Sequence, residues 1–224
     1  MTRSLVGTLS LVLVCASGAR AVWAQTPAAS PEAYLTFDEG TGTVASDASG
    51  NGHAATLFGA SGWTSALVGN SALVLPGRNG SYAEIPTPVI DTTRSYTVAA
   101  WVKVNRLGGY QTFVSEDGDI LSSFFLQLRG DSGQFSFTVP YDFFVLAQSG
   151  FSPQVGRWYH LAGVYDAAAQ SASLYVDGVL ADTVYRVVSS PATGPTGIGR
   201  GKFAGNPVDF VNGAIFHKLA GPRI

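Results

Sequence analysis

From residue 33 onward, clusters of Gly, Pro, Asn, Asp and Ser cut the chain at short spacing, and the runs between them are rich in β-branched and aromatic residues. No amphipathic stretch is long enough for a substantial helix. A chain divided in this way is confined to antiparallel β-architecture, with short strands joined by turns. Three hairpins are predicted from turn chemistry. In SALVLPGRNGSYAEI, Asn79 and Gly80 suit a type I′ turn, which needs positive φ. FFLQLRGDSGQFSFTV turns at Gly130 to Gly133, after which Phe135, Phe137 and Val139 share a face. SASLYVDGVLADTV turns at Asp177 and Gly178, with Ala172, Leu174 and Val176 opposite in facing to Ser173 and Tyr175. Two longer runs, SYTVAAWVKV (95–104) and RWYHLAGVYD (157–166), are apolar at both parities. They are predicted to be central strands covered on both faces.

The first residues lie outside this scheme. Arg3, the apolar run LVGTLSLVLV, and Val22 and Ala24 placed three and one residues before Gln25 make residues 1–24 a secretory signal peptide. Its apolar core is too short to span a bilayer, and no later segment approaches the ~20 apolar residues of a membrane helix. Residues 25–32, QTPAASPE, read as a flexible linker. The single cysteine, Cys15, leaves with the leader, so no disulfide is expected and the core must hold the fold. The remaining roughly 200 residues suffice, since a domain of that size buries about 70 % of its unfolded surface. The formal net charge is −2 and becomes more negative when Arg3 and Arg20 are removed, which argues against nucleic acid as a partner.

Six blocks in order, YLTFDEGTG (34–42), DASGNG (47–52), SYTVAAWVK (95–103), WYHLAGVYD (158–166), LYVDG (174–178) and IGRG (198–201), resemble the laminin G-like, concanavalin A-like jelly-roll domains. The resemblance covers residues 33 to 215 and implies an all-β, two-sheet antiparallel jelly-roll sandwich with ligand sites at loop edges or on a concave face. It also implies a binding module, since family members are mostly that, often attached to glycosidases, sialidases or adhesins. The chain departs from the family after Gly213. An acidic residue is missing, and Gly221 and Pro222 are expected to stop the last strand early, leaving residues 216–224 as an atypical tail and an open sheet edge.

In DASGNGHAATL (47–57), Asp47, Ser49 and Asn51 offer side-chain oxygens, and Gly50 and Gly52 allow carbonyls to turn inward, as a six- to eight-oxygen calcium site requires. The resemblance adds Asp38 and a structural Ca2+. A metal-free Asx turn uses the same residue types, so both readings stand. EDGD (116–119) has the wrong spacing for the family's glucanase motif and reads as a solvated loop. TGIGRGK (196–202) fails as a phosphate loop at Thr196 and Phe203. His53, His160 and His217 lack an accompanying nucleophile, and His160 reads as a satisfied strand residue. In PYDFFVL (140–146), Tyr141, Phe143 and Phe144 make either an aromatic platform for a sugar ring or a core strand. The expected protein is a secreted, extracellular or periplasmic, non-catalytic module binding carbohydrate or glycoprotein. A protein-binding adhesion module and a glycoside hydrolase with an unrecognised site are the alternatives.

Overall fold

The hairpin at Asp177-Gly178 shows how local chemistry builds this molecule. Both residues have positive φ, 51° and 80°, and Val176 pairs with Val179 across a two-residue type I′ connection. The computed structural model describes residues 30–66, 69–140 and 144–222. Residues 1–24, read above as a signal peptide, and most of the segment read as a linker therefore lie outside the described residues. The linker's end is held: the carbonyls of Pro31 and Glu32 accept hydrogen bonds from Asn51 Nδ2.

The described residues form β1 (Ala33–Leu35), β2 (Val44–Ala45), β3 (Ala55–Phe58), β4 (Gly62–Thr64), β5 (Ala72–Pro76), β6 (Tyr82–Ile85), β7 (Tyr96–Val104), β8 (Gln111–Asp117) and β9 (Ser122–Leu128). They continue with β10 (Phe135–Pro140), β11 (Phe144–Gln148), β12 (Trp158–Asp166), β13 (Ser171–Val176), β14 (Val179–Tyr185), β15 (Thr196–Ile198), β16 (Gly201–Phe203), β17 (Asn206–Val208) and β18 (Asn212–Pro222). The first sheet runs β14-β13-β12-β7-β18-β5-β4, with β1 also on β18, and the second runs β11-β10-β9-β8-β15-β6-β3-β2. All pairings are antiparallel, and β16 and β17 form a separate hairpin. Among the described residues no helix is long and apolar enough to cross a membrane.

Inward residues of the two sheets form one core in which aromatic rings meet edge to face, Phe135 on Tyr159 at 5.2 Å and Tyr96 on Phe137 at 6.2 Å. Each fully buried phenylalanine contributes about 1.5–3 kcal/mol of transfer free energy, which is how a chain without a disulfide holds two sheets together. At one side the sheet edges meet, where the Gln148 amide on β11 donates to Asp182 Oδ2 on β14.

Three expectations need correction. Residues 79–80 do not join a hairpin: β5 belongs to the first sheet and β6 to the second, so the turn, closed by the Ser81 amide on the Arg78 carbonyl, carries the chain between layers. Next, β7 and β12 are central, but their outer side chains, among them Trp101, Trp158 and His160, are only half-buried. The apolar letters at both parities arise because Trp101 stacks on Phe216 at 5.6 Å and Trp158 meets that ring edge-on at 4.7 Å, so the outer face covers itself. The strands buried on both faces are β8, β9, β10 and the short β15. Finally, residues 216–222 do not leave an open edge. β18 pairs with β7 on one side, and on the other with β5 through Ile215 and then with β1 from Lys218 to Ala220. A register shift between Phe216 and Leu219 lets the strand change neighbours, and the strand ends at Pro222.

Candidate functional site

The double burial of β8 to β10 locates a site. Phe124, Leu126 and Leu128 of β9 point into the core, so Phe125 and Gln127 face outward. On this outer face Gln127 Nε2 donates to Thr138 Oγ1 at 3.1 Å, and Thr138 shares a 3.2 Å hydrogen bond with Ser136. The β16–β17 hairpin lies over it. The Lys202 amide donates to Ser122 Oγ, Ser115 Oγ donates to the Arg200 carbonyl, and the Gly205 amide donates to the Ile120 carbonyl. Gly201 packs so closely that a Cβ there would stand 2.7 Å from the Phe125 ring.

Between this roof, β9 and β11 lies a pocket of ≈ 390 Å³ lined by Tyr110, Phe125, Gln127, Arg129, Phe144, Phe203, Val208 and Asp209. Phe144 and Phe203 stand 48 % and 52 % exposed with ring planes 26° apart and centroids 6.4 Å apart, two flat apolar faces open to solvent. Tyr110 lies under the Arg129 guanidinium at 5.3 Å, and Arg129 Nη2 donates to its hydroxyl at 3.2 Å. Arg129 also binds Asp131, which it holds well below the usual carboxylate range. Asp209 sits at a φ of 59°. Burial pushes its carboxyl up, against the opposing pull of Thr112 and Arg129. Flat apolar faces beside a few fixed polar groups suit a ligand with apolar C–H faces and hydroxyl edges.

The sequence-predicted residues fall as follows. Phe144 lines the pocket, while Tyr141 and Phe143 lie outside the described residues. Phe203, Tyr110, Arg129 and Asp209 were missed because nothing local in their segments marks them as neighbours. The glycine loop is built around Asp47. Its Oδ1 accepts from the amides of Tyr34 and Ser49, and its Oδ2 from the His53 amide and the Ser49 hydroxyl. Burial resists ionisation, but these four donors outweigh it and lower the pKa from 3.8 to about 2. Gly50 and Gly52 take φ of 88° and 83°. Asn51 turns its amide nitrogen toward the Glu32 carbonyl. Asp38 serves another network, accepting from the amides of Asn70 and Ser71. Among the described residues no three His, Cys, Asp or Glu side chains group as a metal site. The Asp47 carboxylate accepts four hydrogen bonds, and the one from the Ser49 amide closes an Asx turn.

EDGD is a solvated loop only at its end, where Asp119 is exposed. Glu116 and Asp117 are 1 % and 4 % exposed at the end of β8. Arg200 Nη1 donates to both oxygens of Asp117 at 3.0 and 2.8 Å, and its Nη2 donates to Glu84 at 2.6 Å. Glu116 accepts from the Ile90 amide and from Thr196 Oγ1. These carboxylates survive burial because a guanidinium and hydrogen-bond donors meet them. His160 lies on β12 against the Trp101 ring at 5.3 Å, where burial lowers its pKa and Asp177 opposes the shift.

A family model for the concanavalin A-like lectin/glucanases superfamily matches residues 76–217, more than half of the chain. No curated protein matches the sequence. Among solved structures, domain 4 of AbnA, a GH43 extracellular arabinanase from Geobacillus stearothermophilus in complex with arabinotriose, is similar with a TM-score of 0.69 at 21 % identity, over 85 % of this chain and 91 % of that one. The binding domain of Paraclostridial Mosquitocidal Protein 1 is similar with a TM-score of 0.69 at 12 % identity, over 87 % of this chain and 49 % of that one. Trypanosoma rangeli sialidase in complex with the inhibitor DANA gives 0.62 at 19 % identity, over 88 % of this chain and 32 % of that one. At these identities the likeness is one of fold.

Proposed function

Since the chain belongs to the concanavalin A-like lectin/glucanase superfamily, we propose that it is a secreted, non-catalytic module that binds carbohydrate in the pocket between β9, β11 and the β16–β17 hairpin. The observation that carries this reading is the pair of exposed, nearly parallel rings of Phe144 and Phe203 beside Arg129, Gln127 and Asp209. A sugar ring lays its C–H face on such a surface, and its hydroxyls reach the polar groups. The arabinotriose in the complex with the arabinanase domain supports the same class of ligand.

The non-catalytic part of the proposal follows from the carboxylates. Glycoside hydrolysis uses two carboxyl groups flanking one bond. Asp209 is the one carboxylate among the described residues lining the pocket, and Glu116 and Asp117 are buried and engaged.

Titration calorimetry after a glycan array tests the reading. Phe144→Ala and Phe203→Ala are each expected to weaken binding by about 1 kcal/mol, roughly five- to tenfold, with melting unchanged because both rings are exposed. A blank array alongside successful capture of a protein partner would favour an adhesion module. Turnover of a polysaccharide would favour the hydrolase.

The reading includes a glycine loop that works without calcium. Melting at pH 7 is expected at one temperature in calcium and in chelator; a rise with calcium would restore the metal site. Asp47 is lowered relative to the unfolded chain, so its contribution is present above pH 3.8 and is lost as pH falls toward about 2.

A further inference from the structure

The charges around the pocket narrow the ligand class. Arg129 is the one cation among the described residues lining it. Its Nε and Nη2 already face the two oxygens of Asp131, and Nη2 also reaches the Tyr110 hydroxyl. An acidic ligand would meet a guanidinium whose charge is already balanced by a two-point carboxylate partner, with only Nη1 outside that pairing.

Asp209 has the opposite character. Among the described residues its carboxylate has only a 3.4 Å contact with the Thr112 hydroxyl, so it can accept further hydrogens. Sugar hydroxyls supply them. A sugar carboxylate supplies none and adds a second negative charge between the apolar side chains of Phe125, Phe144, Phe203 and Val208, where screening by water is reduced.

Resting on the carbohydrate reading above, we propose that this pocket selects by charge, accepting uncharged, hydroxyl-rich sugar units and rejecting units that carry a carboxylate, with Asp209 as the residue that sets the selection. Arg129 contributes by being neutralised in advance, holding Tyr110 in place rather than serving as an anion receptor.

The test uses matched oligosaccharide pairs, each neutral oligosaccharide beside the same one with its primary hydroxyls oxidised to carboxylates, titrated into the mature chain by calorimetry. The neutral member is expected to bind at least about tenfold tighter at low salt. That ratio should shrink as salt approaches about 0.5 M, because the repulsion is electrostatic. Asp209→Asn keeps the shape and removes the charge, and should narrow the ratio severalfold; its melting temperature reports whether it folds. The salt series on the unaltered chain tests the idea without any variant. An oxidised member that binds as well as its neutral partner, or a ratio indifferent to both salt and Asp209→Asn, overturns the charge selection and leaves the carbohydrate reading standing. Failure of both members in every pair removes the carbohydrate reading itself.

Discussion

Arg200→Met is expected to destabilise the protein by about 3–5 kcal/mol, measured by urea or thermal denaturation, because it leaves the buried Asp117 carboxylate and the half-buried Glu84 without a cation. Arg200 is 3 % exposed and serves two strands at once, Asp117 on β8 and Glu84 on β6. Its guanidinium also lies 5.2 Å from the Tyr82 ring. Methionine restores much of the volume but none of the charge, so the loss reports the unpaired acids and not a cavity. The effect extends to the proposed binding pocket. The Arg200 carbonyl accepts from Ser115, and the next residues form the hairpin that roofs the site. Ligand affinity should therefore fall even under conditions where the variant remains folded. Replacing Asp117 by leucine in the same chain should recover part of the stability, since the unpaired charge goes with it. A loss below about 1 kcal/mol for the single variant would mean that water reaches these carboxylates and that the ionic cluster does not hold the sheet.

What could be read in advance divides by range of interaction. The turns at Asp177-Gly178 and Gly130–Gly133 were legible because two or four residues determine them. Asn79-Gly80 misled for the same reason. Its residues specify a turn, but whether β5 and β6 then pair or separate into different sheets depends on partners far along the chain, β18 for one and β3 and β15 for the other. The acid cluster was misread because its counter-charge, Arg200, lies 83 residues beyond Asp117, and charged letters around Gly118 otherwise look like a loop. The pocket was half visible. Phe144 stood out within an aromatic run, whereas Phe203 sits among hairpin residues, and only the fold brings the two rings together. Asp47 was identified from its loop, but what its oxygens bind depends on Tyr34 thirteen residues earlier.

The last strand gives the second large effect: Gly213→Ala is expected to lower stability by more than about 3 kcal/mol, or to prevent recovery of soluble protein. A Cβ at this position would stand 1.9 Å from the Lys103 carbonyl oxygen and 3.3 Å from the Val104 Cα. These are backbone atoms of the neighbouring strand, so no rotamer change relieves the clash; β18 and β7 would have to separate. Separation is costly because β18 is held on both sides, by β7 along its length and by β5 and β1 in succession. The Asn105 amide bond to the Asn212 carbonyl would go as well. Gly62→Ala supplies the control. Gly62 lies in β4, and a Cβ there meets only Val74 Cγ1 at 3.8 Å, an ordinary contact, so a change within about 1 kcal/mol is expected. For a chain of this size 3 kcal/mol corresponds to roughly 6–12 °C in melting temperature, well separated from the control. Should Gly213→Ala melt alongside Gly62→Ala, the close approach of β18 to β7 would be wrong, and with it the central place given to the last strand.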